Sequence, residues 1–160
     1  MAADMFIKID DIKGEAVDPT HGDEIKVLSW SWGVSQSGTT HESAGGGAGK
    51  ANVQDLSFTK VVDLSTPNLF QMCCNGKHFK EATLTIRKAG EKPLEYMKIK
   101  MSEILISNVS TGGSGGEDRI TENVTLNFAK FEIEYSSQKK DGTKDKTVST
   151  KWNIQSNSAT

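Results

Sequence analysis

Only two cysteines occur in the 160 residues, and they are neighbours, Cys73 and Cys74. A bond between adjacent residues needs a strained ring, and one pair makes no disulfide framework. Both are therefore expected to be reduced and at least partly buried, the usual state of free thiols. Charge of one sign is also lacking, because 19 Lys and Arg nearly balance 21 Asp and Glu, for a net charge of −2. That balance argues against a general nucleic-acid binder, which neutralises phosphates with a positive surface. No apolar run approaches the roughly 20 residues needed to cross a bilayer, so membrane insertion is not expected. Residues 1–10 show neither a basic n-region nor an apolar h-region. No conventional secretory signal is recognisable there, and folding in the cytoplasm is expected.

Catalytic and cofactor chemistry is equally scarce. His21, His41 and His78 are dispersed, and no Cys/His cluster has metal-ligand spacing, so no metal is expected. No Gly-x-Ser-x-Gly elbow occurs, and no pair of carboxylates stands out as an acid and base. The run Ala44-Gly45-Gly46-Gly47-Ala48-Gly49-Lys50-Ala51 has the outline of a phosphate-binding loop. That motif, however, needs glycine where Ala44 stands and a hydroxyl ligand for magnesium where Ala51 stands. It also needs a helix N-terminus to meet the phosphates, and here a strand pattern follows. Neither an enzyme nor a cofactor is expected. Asn108 and Asn123 sit in glycosylation sequons, which carry little without an export signal.

What remains is strand patterning. At this length one domain, 1–160, with a real core is expected. Met5, Ile7 and Ile9 alternate with Phe6, Lys8 and Asp10, and Asp55–Val62 again has apolar positions two apart. One helix is predicted over about 66–76, with Thr66 as its cap, Pro67 at its first helical position and Gly76 ending it. Leu69, Met72 and Cys73 form its single apolar stripe, which must pack on a sheet. Ala82, Leu84 and Ile86 alternate again, residues 89–93 turn the chain, and Val148, Thr150, Trp152 and Ile154 form a last strand. Between these lie two long strands whose apolar parity switches. Met97, Ile99 and Met101 give way to Ile104 and Ile106, and Val124, Leu126 and Phe128 give way to Phe131, Ile133 and Tyr135. A β-bulge in each would produce the switch and bend the strand between sheets, favouring an all-β barrel with one short helix.

The chain is organised around residues 24–52. Ile25 to Ser37 reads as one long strand, with Leu28, Trp30, Trp32 and Val34 on one face and Ser29, Ser31, Gly33, Ser35 and Ser37 on the other. Trp30 and Trp32 could stack nucleobases, but no basic groove accompanies them, so core or subunit-interface packing is the better reading. A long extended loop over about 38–53 follows, without periodicity and rich in glycine. Structureless connections of that length are usually functional or disordered.

The segment Ser110-Thr111-Gly112-Gly113-Ser114-Gly115-Gly116-Glu117-Asp118-Arg119-Ile120-Thr121 and its continuation to Phe128 strongly resembles the Hcp family, the haemolysin-coregulated proteins of bacterial type VI secretion systems. Residues 5–9, 30–33, 53–60 and 65–69 resemble it in the same way, and the spacing agrees from end to end. The resemblance implies a phage tail-tube-like β-barrel of two sheets with a flanking helix. It further implies a homohexameric ring, rings stacked into a tube within a contractile sheath, a spike, and effector proteins carried in the ring lumen. Export would be by the machine itself, to the extracellular space or a target cell, without a signal peptide.

Within that picture, Ser29, Ser31 and Ser35 are expected to meet effectors in the lumen. The arm carrying Gly38, Thr39, Thr40, His41, Glu42, Gly45, Gly46, Gly47, Gly49 and Lys50 is expected to join stacked rings. Gly112, Gly113, Gly115, Gly116, Glu117 and Asp118 form a second candidate ring contact. Two competing functions are a monomeric barrel binding a small apolar ligand against Trp30 and Trp32, and an effector enzyme acting in another cell.

Overall fold

The computed structural model describes residues 3–37, 50–90 and 93–159. Alternating apolar residues produce β1 (Ala3–Ile9), β6 (Leu56–Val61) and β7 (His78–Lys88), whose inward positions are buried. Two long strands, β8 (Leu94–Gly112) and β9 (Thr121–Gln138), form the spine, and β10 (Lys144–Asn153) pairs with the second half of β9. The predicted long strand over 25–37 is instead three short pieces: β2 (Ile25–Lys26), β3 (Ser29–Ser31) and β4 (Val34–Ser35). β4 pairs with β5 (Asn52–Val53), so the expected loop ends as strand.

The break at Val27 has a physical reason. In the main sheet the strands run β2-β1-β7-β8-β9-β6-β3, and the two ends of that path belong to one stretch of chain. Val27 donates its N–H to the Met5 carbonyl at 2.9 Å, and Leu28 donates to the Thr59 carbonyl at 2.8 Å. The chain therefore leaves the edge of β1 and joins the edge of β6, which curls the all-β sheet into a barrel and satisfies both edges. Inside lies one apolar cluster that includes Ile7, Ile25, Leu56, Phe58, Leu84, Ile99, Met101, Ile104 and Leu126.

The parity switches occur where expected, but not by single-strand bulges. Met101 faces Phe131 and Ile104 faces Phe128, so neither strand carries an extra residue there. Both strands change face together, with Glu103 in the left-handed region at φ +56°. The register shifts lie elsewhere, between Ile106 and Asn108 and between Ile86 and Arg87.

Helix α1 (Thr66–Asn75) ends at Gly76, whose φ of +66° suits glycine. Ser65, not Thr66, occupies the cap position, without a side-chain capping bond. The Thr66 hydroxyl instead donates to Glu122 at 2.7 Å and accepts from the Asp63 N–H at 3.1 Å. Leu69 is buried, with Met72 and Cys73 packed beside it, and the helix lies against β8. Cys73 and Cys74 are both free, but Cys74 is exposed, contrary to expectation, because it points off the helix away from the stripe. Among the described residues no helix is long and apolar enough to cross a membrane.

Candidate assembly surfaces

Ser29, Ser31 and Ser35 are all exposed, as is Ser37, whereas Gly33 in the middle of that face is half-buried beside Gln54. The opposite face is mixed. Trp32 packs edge-on against Phe131 with centroids 4.8 Å apart, lies 6.0 Å from Phe128, and donates Nε1–H to the Gln54 carbonyl at 2.8 Å. Trp30 is half-buried against the core. Both indoles thus pack into the barrel wall. Leu28 and Val34, expected on the same buried face, remain 44% and 51% exposed because the run changes partner strand between them.

The glycine arm leaves from a two-stranded base. Val34 faces Val53, Ser35 faces Asn52, and Gln54 donates its N–H to the Gly33 carbonyl at 2.9 Å. Gly38, Thr39, Thr40, His41, Glu42, Gly45, Gly46, Gly47 and Gly49 lie outside the described residues, and Lys50 is exposed at the exit of the arm. The second loop connects β8 to β9. Gly112, Gly113, Gly115, Gly116, Glu117 and Asp118 are all exposed, and Glu117 donates its N–H to the Ser114 carbonyl at 3.1 Å.

The base of the arm and the second loop are not brought together. Gln54 and the arm base precede Leu56 at one end of β6, whereas Val62 beyond the other end donates to the Ile120 carbonyl beside the second loop. At the usual rise per residue, β6 holds them about 17 Å apart along the strand.

Two charged clusters escaped the sequence reading. In the first, His21 stacks on Phe6 at 4.8 Å and 11°. It donates from Nδ1 to Glu24 at 2.7 Å and from Nε2 to Glu95 at 2.5 Å, so both ring nitrogens face carboxylates and the imidazolium is the form that satisfies them. Burial alone would lower its pKa, but the hydrogen bonds to Glu95 and then Glu24 outweigh it and raise the pKa above 6.5. Beside it, Arg87 lies over the other ring partner, Phe6, at 5.1 Å and donates to Asp18 at 2.7 Å and Asp4 at 3.2 Å. The Arg87 hydrogen bond holds the Asp18 carboxyl well below the usual carboxylate range. This cluster pins residues 10–24 against β7 and β8. Nothing in the spacing of these residues announces it, since its partners are up to 83 positions apart.

In the second cluster, Lys60 and Glu122 are wholly buried and paired directly across β6 and β9. Asp63 at 3.0 Å and Thr66 at 3.3 Å complete the Lys60 environment, while one Glu122 oxygen, Oε2, has no hydrogen-bond partner among the described residues. A signal for this pair was present. Leu56, Phe58 and Lys60 share one parity, as do Glu122, Val124, Leu126 and Phe128, so each charge sits on an inward position. Among the described residues no cluster of His, Cys, Asp or Glu is arranged to hold a metal.

The molecule is thus an all-β barrel with one flanking helix and a ribbon carrying a glycine arm. Residues 6–135 match the family model described as type VI secretion system effector, Hcp. Protein hcp1 of Pseudomonas aeruginosa strain PAO1 is 63% identical over 159 residues, 98% of each chain. The crystal structure of Hcp1 from Salmonella typhimurium superposes with a TM-score of 0.80 at 39% identity, covering 98% of this chain and 97% of that one. A solved type six secretion system protein reaches 0.92 at 26% identity, with 98% and 99% covered. The chain belongs to the Hcp family of the type VI secretion system.

Proposed function

We propose that this chain is a tube subunit, in which the whole of 1–160 acts as one domain. Six copies close into a ring, rings stack into the inner tube of the machine, and the assembled tube is expelled from the bacterium with sheath and spike partners driving and leading it. Effector proteins ride in the ring lumen against Ser29, Ser31 and Ser35, whose short hydroxyls offer adaptable hydrogen bonds without a bulky grip. No catalytic step is assigned to any residue. The observation that supports this reading is that the base of the glycine arm and the exposed 112–118 loop lie at opposite ends of β6 in a member of this family. A wall that launches a glycine-rich segment from each end suits a unit repeated along an axis.

Deleting Ala44–Gly49 tests it. Rings should keep their mass while tube growth in vitro and secretion by the producing cell are lost; a deletion that still grows tubes and secretes normally overturns the stacking assignment. In the lumen, Ser31→Gln should leave rings intact and reduce effector co-purification, and unchanged co-purification would remove Ser31 from the lumen.

A further inference from the structure

The barrel sheet overhangs its own core. Tyr135 faces Met97, and Ile133 two residues earlier faces the buried Ile99, so Tyr135 is on the core-facing side of β9. Its partner on β10 is Val148. Yet Tyr135 is 51% and Val148 69% exposed, and no strand or helix among the described residues covers that end of the sheet. The bare strip runs on past Thr150 to Trp152, where Val34 and Val53 form the far wall of a small apolar crevice.

Elsewhere on the surface stands a counterpart. Val17, at the tip of the 10–24 loop, is fully exposed and shares a groove with the exposed Leu28 and Val62 and with Glu15. The loop carries six carboxylates against one lysine, whereas residues 139–151 carry five lysines against two aspartates. Asp18 and Glu24 are engaged by Arg87 and His21, but Asp10, Asp11, Glu15 and Asp23 have no ion-pair partner among the described residues. Nor do Lys139, Lys140, Lys144 and Lys146 on the other side. One chain of near-neutral charge therefore bears an acidic apolar knob around Val17 and a basic apolar strip around Val148, although farther along the loop Thr20 shares a pocket with Gly142, Thr143 and Lys144 of the same chain.

We propose that the Val17 loop of one copy packs on the bare β9–β10 face around Val148 of the next, head to tail. This rests on the ring reading above and supplies its lateral contact. Two different surfaces that fit each other make a heterologous interface, which closes only as a ring. The opposed charges steer the encounter and reject a knob-to-knob or strip-to-strip pairing.

Head-to-tail contact has a signature that light scattering on a sizing column can read. Val17→Asp spoils only the knob and Val148→Asp only the strip, so each variant alone should fall from the ring mass to the monomer mass. Mixed in equal amounts they retain one good knob and one good strip between them. They should pair at about twice the monomer mass and go no further. Both sites are exposed, so folding should persist by circular dichroism; Val17→Lys and Val148→Lys give a second pair should an aspartate unfold the strand. Variants that keep the ring mass, or a mixture that stays monomeric, overturn the assignment of these surfaces while a ring-sized parent leaves the tube reading standing. A monomeric parent protein defeats the tube reading itself, and this contact with it.

Discussion

Removing one member of the Lys60–Glu122 pair should be far more damaging than removing both. The two side chains have no exposure to solvent, lie directly opposite each other across β6 and β9, and hold the first turn of α1 through Thr66 and Asp63. In Lys60→Met the Glu122 carboxylate loses its cation while remaining buried, with one oxygen already unpartnered. Breaking such a pair typically costs 3–5 kcal/mol, about the same order as the whole stability of many domains. For a chain of this size that corresponds to a drop in melting temperature of about 10 °C. Glu122→Leu should cost a similar amount by stranding the ammonium. The double variant Lys60→Met/Glu122→Leu fills the same space with apolar atoms, and its stability should return to within about 1 kcal/mol of the parent or exceed it. Urea unfolding followed by tryptophan fluorescence, at one fixed chain concentration so that assembly does not bias the comparison, gives the four corners of the cycle. Singles costing under about 1 kcal/mol, or a double variant whose loss equals the two singles together, would refute the reasoning that this pair is a buried, mutually dependent unit.

The His21 cluster predicts a pH window. His21 is raised above 6.5, so its contribution is complete below that value and disappears as pH rises through the folded-state pKa. Glu95 is held below 4.5, chiefly by His21 and Lys98 against the opposing effect of burial, so its contribution is complete above 4.5 and disappears as pH falls through the folded-state pKa. The urea midpoint should therefore be highest between 4.5 and 6.5, and His21→Gln should flatten the alkaline side; an unchanged profile in that variant would contradict the assignment. A methyl group on Gly14 would lie 2.6 Å from the Glu24 carbonyl oxygen, so Gly14→Ala should displace the 10–24 loop and lower stability by about 1–3 kcal/mol. Gly115→Ala meets nothing within 4 Å at an ordinary φ and should change stability by less than about 0.5 kcal/mol, as read by thermal melts of the two variants side by side.

Strand parity carried much of the architecture. Alternation placed β1, β6 and β7, the apolar stripe and Gly76 placed the helix, and the paired parity switches located the bend that lets β8 and β9 serve both halves of the barrel. The bend itself was misread, since a parity switch cannot tell one bulged strand from two strands turning together at Glu103. Alternation also made residues 25–37 look continuous, because a run that hands over from β1 to β6 keeps its side-chain period while changing its partners. The buried Lys60–Glu122 pair was legible in parity and overlooked because charge suggested solvent. His21, Phe6 and Arg87 meet only through the closed barrel, and no local pattern encodes such a meeting. The glycine arm could be located by composition, and the described base at Val34–Ser35 and Asn52–Val53 shows why it starts and ends where it does.

Size-exclusion chromatography with light scattering on the unmodified protein tests the tube-subunit account most directly. The monomer is 17.4 kDa. A ring-forming subunit should elute at about six times that mass over a wide range of chain concentration, as a closed heterologous assembly does. A single species at the monomer mass across that range would contradict it.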